Sequence, residues 1–154
     1  MTLAVGDKAP TLTLPVSGGG ELSLAKLKGK PVVVYFYPKD STSGCTKEAQ
    51  DFQAAMPKFK KAGAEVIGIS KDSVASHDKF SAKFDLSFPL LADTEGKACV
   101  AFGTWVEKSL YGRKYMGIER TTFVIDGKGA VRHAWRKVKV PGHVDAVLAA
   151  VQSL

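Results

Sequence analysis

Cysteine is scarce, with only Cys45 and Cys99 in 154 residues. That is too few to staple a secreted disulfide scaffold of this length, and it points to a reducing compartment with one or two working thiols. Histidine is almost as rare. His77, His133 and His143 have no ligand-like spacing to one another or to a cysteine, which argues against a metal centre and for surface or hydrogen-bonded histidines. Long apolar runs are missing too: the strongest, Pro31 to Tyr37, falls far short of the ~20 residues needed to cross hydrocarbon. The opening stretch MTLAVGDKAP has neither a basic patch nor an apolar segment with a small-residue cleavage site, so the chain reads as complete, cytoplasmic and free of the membrane. There is no repeat, low-complexity tract or linker, so residues 1–154 read as one domain, a size that buries one sizeable core. Acidic residues are the minority, 15 against 22 lysines and arginines, and the net charge of +7 permits an acidic partner without requiring one. At 45% hydrophobic and 24% charged, the composition excludes intrinsic disorder.

What is present alternates between strand and helix signals, the signature of an α/β domain. Thr11–Leu14 and Glu21–Leu24 flank a Ser-Gly-Gly-Gly turn and predict an N-terminal hairpin. Pro31–Tyr37 and Ala64–Ser70 read as strands covered on both faces. Apolar residues three or four apart (Ala49, Phe52, Met56, Phe59) predict a helix over 45–62, which Pro57 should kink or break. Further helices are predicted at 74–84, 95–102 and 144–151, and a hairpin at Thr121–Ile125 and Ala130–Val138. The segment 103–119 is mixed and receives no assignment.

Chemistry concentrates at Cys45. It lies between a polar turn and the first turn of the predicted helix, where unpaired N–H groups and the dipole favour a thiolate, the form that attacks. Gly44 removes a side chain beside it and lets a small substrate approach. Position alone allows a second reading, a buried cysteine packed as a small hydrophobe.

The run Pro38-Lys39-Asp40-Ser41-Thr42-Ser43-Gly44-Cys45 has the form Pro-x-x-x-Thr-x-x-Cys and resembles the active-site motif of the peroxiredoxins. The longer stretch from Phe36 to Ala49, with Tyr111-Gly112-Arg113 and Gly117 to Phe123 later, is similar to the bacterioferritin-comigratory-protein or peroxiredoxin Q subfamily. The resemblance covers essentially the whole chain. It implies a thioredoxin-like fold with a central mixed sheet flanked by helices. It also implies a monomeric thiol peroxidase of antioxidant defence, acting on hydrogen peroxide and small organic hydroperoxides without metal or organic cofactor. Cys45 would be the peroxidatic nucleophile, passing through a sulfenic acid. Thr42, able to donate and accept at once, would hold the thiolate and steer a peroxide oxygen. Arg120 would stabilise the thiolate and the charge building on the leaving oxygen. Pro38 would fix the turn and exclude water, and Glu48 would hold an arginine or simply favour the helix start. Ser43 stands where many relatives have proline, so the turn is expected to be looser but competent.

A sulfenic acid must be reduced, normally by a second thiol. Relatives carry one five residues after the first, here Gln50, or on the following helix, here Ser81; whether Ser81 is natural or an engineered change of cysteine is open. Cys99, beside Phe102, reads as a buried structural thiol more readily than as a resolving one. The expected cycle uses one cysteine and an external thiol, thioredoxin or a small molecule. The active-site loop and first helical turn are expected to open locally to admit it. Two other readings compete. Thioredoxin-like disulfide exchange usually needs Cys-x-x-Cys, and the residue three after Cys45 is Glu48. A basic nucleic-acid-binding module would use Trp135 to Lys139 and Lys58 to Lys61, both of which also read as solvated faces.

Overall fold

Residues 3–154 are described in the computed structural model; Met1 and Thr2, which begin the stretch read for a leader and the predicted 1–154 domain, lie outside the described residues. A short antiparallel hairpin, β1 (Thr13–Pro15) and β2 (Glu21–Ser23), opens the chain and is followed by a 3₁₀ turn at Leu24–Leu27. Then come β3 (Val32–Phe36), α1 (Ser43–Lys61), β4 (Glu65–Ser70), α2 (Val74–Phe84), β5 (Leu90–Ala92) and α3 (Lys97–Ala101). A second hairpin, β6 (Trp105–Leu110) and β7 (Arg113–Ile118), precedes β8 (Thr121–Ile125), β9 (Val131–Trp135) and α4 (His143–Gln152). The central sheet has the order β5-β4-β3-β8-β9, parallel among β5, β4 and β3 and antiparallel from β3 through β8 to β9.

The apolar run at 31–37 becomes the middle strand because both its faces are covered. Val33 and Tyr35 point into a cluster with Phe52, Met56 and Phe59 of α1, Phe80 of α2 and Val147 and Val151 of α4. Val34 and Phe36 point the other way, onto Ala98, Cys99, Phe102, Phe123 and the N-terminal hairpin. Each large side chain so buried contributes roughly 1.5–3 kcal/mol. Among the described residues no helix is long and apolar enough to cross a membrane.

One expectation changes, and strands β5, β6 and β7 had none. Pro57 does not break α1, which runs through it to Lys61. Met56 and Phe59 hold this turn against the sheet, and Pro57 sits on the exposed side, where water can serve the carbonyl that loses its N–H partner. The unassigned segment 103–119 is the β6–β7 hairpin; its strands pair only with each other and are largely exposed, so no alternation of apolar and polar residues announces them. The three-residue β5 is too short for a period to show.

One glycine fixes the packing beneath the site. An added Cβ at Gly68 of β4 would lie 2.9 Å from Leu90 Cδ2 and 3.0 Å from Tyr35 Cζ and Oη. Gly68→Ala is therefore expected to destabilise the fold by about 1–3 kcal/mol through overpacking, read as a lower denaturant midpoint at unchanged slope.

Candidate active site

The site lies at the carboxyl end of β3, the usual place for ligands in sheets with parallel strands. The chain leaves β3 through a turn in which Ser41 takes φ +64°, an uncommon conformation for a residue with a side chain. Asp40 holds this turn from inside. Its Oδ1 accepts from Tyr37 Oη at 2.6 Å, its Oδ2 from Ser76 Oγ at 2.8 Å and pairs with His77 Nδ1 at 2.7 Å, and its amide donates to Asp72 Oδ2 at 2.8 Å. His77 Nε2 reaches the Leu91 carbonyl at 2.9 Å, and Ser70 Oγ donates to Asp72 Oδ2 at 2.7 Å. The hydrogen bonds from His77, Tyr37 and Ser76 overcome burial and hold the Asp40 carboxyl below the usual carboxylate range. Asp40, Asp72 and His77 offer polar atoms within 4.8 Å of one another, the one grouping among the described residues with the geometry for a cation. Each of the three already serves a hydrogen bond that clasps the turn to β4 and α2.

Thr42 ends the turn with extended backbone (φ −84°, ψ 155°), and α1 starts at Ser43, so Gly44 and Cys45 lie in its first turn, where N–H groups have no partner inside the helix. Cys45 is only 2% exposed. Arg120, in the link from β7 to β8, donates from Nη2 to Cys45 Sγ at 3.3 Å and from Nη1 to Glu48 Oε1 at 2.6 Å. Cys45 and Glu48 are three residues apart and hence neighbours on one helix face, so one guanidinium spans both. Burial works against the Arg120 charge, but Glu48 and Cys45 outweigh it and raise its pKa further. A Cβ at Gly44 would stand 3.3 Å from Arg120 Nη2, so glycine leaves the guanidinium room to reach sulfur.

Glu48 is wholly buried, and its Oε2 has no protein partner. Burial pushes its carboxyl up to about 7 despite the opposing pull of Arg120. A folded-state value above the unfolded one means that Glu48 costs nothing below the ordinary carboxylate range. The cost grows as pH rises through 7. His143, paired with Thr122 Oγ1 at 2.8 Å, is pushed down to about 4 by burial and then by Arg120, so its contribution is lost as pH falls from about 6.5 through 4. The two slopes oppose each other. The stability difference between Glu48→Gln and the wild-type protein isolates the first: it should shift in favour of the variant by up to roughly 3 kcal/mol between pH 4.5 and 8, read from denaturation at each pH.

The other expected site residues are placed as follows. Thr42 is exposed, and its hydroxyl donates to the Lys39 carbonyl at 2.9 Å, leaving its oxygen free to accept. Pro38 is exposed in the turn. Gln50 is exposed on α1, and Ser81, half-buried on α2, donates to the Leu86 carbonyl at 3.2 Å. Cys99 is fully buried in the cluster on the other side of the sheet from Cys45. Burial, then the Asp93 hydrogen bond, pushes its thiol up to about 12.

Residues 5–134 match the model of the AhpC/TSA family. The chain belongs to that family. It is similar to Peroxiredoxin Bcp of Xanthomonas campestris, 52% identical over 92% of this chain and 89% of that protein, and to Peroxiredoxin Bcp of Bacillus subtilis, 46% identical over 100% and 98%. Among solved structures it matches Xanthomonas campestris Peroxiredoxin Q with a TM-score of 0.89 at 52% identity, covering 92% of this chain and 90% of that one. A Xylella fastidiosa PrxQ mutant matches with a TM-score of 0.94 at 38% identity, covering 99% and 98%. The fold is thioredoxin-like, and this peroxiredoxin is a thiol peroxidase.

The clasp around Asp40 was not recognised from sequence, although Asp40 lies inside the quoted motif. Tyr37 and His77 reach it across 3 and 37 positions, and only the fold brings them together. In the basic stretches the aromatics and Arg136 are engaged within the fold: Phe59 is buried, Trp135 stacks on His133 with centroids 5.6 Å apart, and Arg136 donates to the carbonyls of Leu3 and Gly103.

Proposed function

We propose that this peroxiredoxin is a one-cysteine thiol peroxidase in which Cys45 is the nucleophile and an external thiol completes the cycle. The Cys45 thiolate attacks one oxygen of the peroxide, the O–O bond breaks, and the other oxygen leaves with its electron pair and takes a proton to become water or an alcohol. Cys45 is left as a sulfenic acid. The observation that carries this reading is the 3.3 Å contact from Arg120 Nη2 to Cys45 Sγ, with the other guanidinium nitrogen anchored on Glu48. A fixed cation beside the sulfur stabilises the thiolate and then the charge on the departing oxygen. Thr42, its hydrogen spent on Lys39, accepts from the peroxide O–H and so orients it. Pro38 and Gly44 support the turn, and Glu48 positions Arg120.

Cys99 takes no resolving part in the folded protein: it is buried on the far side of the sheet, and its thiol is held protonated. Gln50 and Ser81 have no sulfur. The sulfenic acid therefore meets a thiol from outside, thioredoxin or a small thiol, and with Cys45 at 2% exposure the turn and first turn of α1 open locally to admit it. The substrates are hydrogen peroxide and small organic hydroperoxides; the similar Bacterioferritin Comigratory Protein of Xanthomonas campestris has been described structurally for its alkyl peroxide reduction activity. Residues 1–154 act as one domain and as a monomer. Two unpaired cysteines favour the cytoplasm. Peroxidase assays with thioredoxin and with glutathione as competing reductants test the reading. Turnover with at least one is expected, and turnover with neither would count against it.

A further inference from the structure

Four of the large apolar side chains that stand exposed are gathered on one hairpin: Tyr111 at 96%, Leu110 at 56%, Met116 at 50% and Tyr115 at 47%. Leu110 and Arg113 are paired neighbours across a two-residue turn, Tyr111-Gly112, in which both residues have positive φ, +52° and +79°. Such a turn suits asparagine and glycine, and a bulky tyrosine there is strained by about 1–2 kcal/mol. Neither the exposure nor the strain helps this chain fold, which marks the tip as a contact surface.

The register places Lys108, Leu110, Arg113 and Tyr115 on one face of the hairpin. That face also carries Gly117, where a Cβ would lie 3.2 Å from Lys108 Cδ and 3.4 Å from the Tyr115 ring. Among the described residues neither Lys108 nor Arg113 makes an ion pair, while Lys114 on the opposite face is within 3.8 Å of Glu107. Burial and then the neighbouring Arg120 charge lower the Lys108 amine, with Glu119 and then Cys45 acting in the opposite sense. Three residues beyond Gly117 the chain reaches Arg120, which touches Cys45.

We propose that the apolar, cationic β6–β7 tip is the docking surface for a dithiol protein reductant whose own contact face is apolar with an acidic rim. This rests on the reading above that an external thiol completes the cycle. A rigid turn presents Tyr111 with little ordering cost, and unpaired cations select an acidic partner. Once docked, the partner's first thiol displaces hydroxide from the sulfenic acid, giving a mixed disulfide and, with a proton, water. Its second thiol then attacks the partner sulfur, returning Cys45 as a thiol and leaving the partner as a disulfide, so the dithiol supplies both electrons.

The test measures steady-state turnover with a bacterial thioredoxin, kept reduced by its reductase, and in parallel with dithiothreitol. Tyr111→Asn relieves the turn, so a merely structural role predicts equal or better stability and unchanged kinetics. The docking role predicts a thioredoxin KM raised about tenfold, the scale of losing a central aromatic contact, with dithiothreitol turnover unchanged. Arg113→Glu should raise the same KM and weaken its salt dependence. An unchanged thioredoxin KM in both variants overturns the proposal. So does failure of thioredoxin to reduce a wild-type protein that dithiothreitol sustains, or a wild-type dimer that Tyr111→Asn dissociates, since a second copy would then own the patch. Failure of both reductants on the wild-type protein instead overturns the external-thiol reading and the docking surface with it.

Discussion

Cys45→Ser is expected to lower peroxide consumption to the uncatalysed background with either class of reductant. The hydroxyl is isosteric enough to keep the packing around Ala49 and Phe52, so the thermal midpoint should stay close to that of the wild-type protein. The serine hydroxyl does not ionise near neutral pH, and among the described residues the side-chain donor to the sulfur is a guanidinium, which cannot take a proton. Cys99→Ser should leave turnover intact, because its thiol is buried on the opposite side of the sheet. The pair of variants, assayed by peroxide loss, separates the two cysteines by function. Comparable losses in both would contradict the account.

Arg120→Met is the second large effect. Removing a preorganised donor aimed at developing charge costs about 10²–10³ in rate, so the second-order rate constant for peroxide should fall by that order. Stability should fall too, since Glu48 keeps a buried carboxylate whose closest partner, at 2.6 Å, is gone; breaking a buried pair costs about 3–5 kcal/mol. The two losses part with pH. Without Arg120 to hold it down, the Glu48 carboxyl, already pushed up by burial, rises further and is protonated at pH 5, which relieves the destabilisation there but does not restore a donor to sulfur. Recovery of stability without recovery of rate, in denaturation and stopped-flow measurements across pH 5–8, is the expected pattern. Arg120→Lys should fall between, because one ammonium cannot reach Glu48 and Cys45 with the geometry of a planar fork.

Much of this was legible in the residues, for identifiable reasons. Strands β3 and β4 are continuous apolar runs because both faces are covered, and α1 shows its period because only one stripe, from Ala49 to Phe59, meets the sheet. Cys45 was visible because a helix start is written in local sequence, and Thr42 through the motif that surrounds it. Arg120 was visible only through its family motif; by itself a charge between two strands says nothing of a partner 75 positions away. The β6–β7 hairpin stayed hidden because it buries little, so no core imposes a pattern on it. Pro57 misled because propensity is local, whereas Met56 and Phe59 answer to packing across the whole helix. The Asp40 clasp was out of reach for a similar reason: its members come from the turn after β3, the end of β4 and the residues beyond it, and α2.

The central claim is that Cys45 alone carries the oxidised state until an outside thiol arrives. Intact-mass spectrometry of the reduced protein after one equivalent of hydrogen peroxide, with no reductant present, tests it directly. The account predicts a protein one oxygen atom heavier, the addition mapping to Cys45 and converting to a mixed disulfide when a thiol is added. A protein two hydrogens lighter, with Cys45 and Cys99 in one cross-linked peptide, would contradict it.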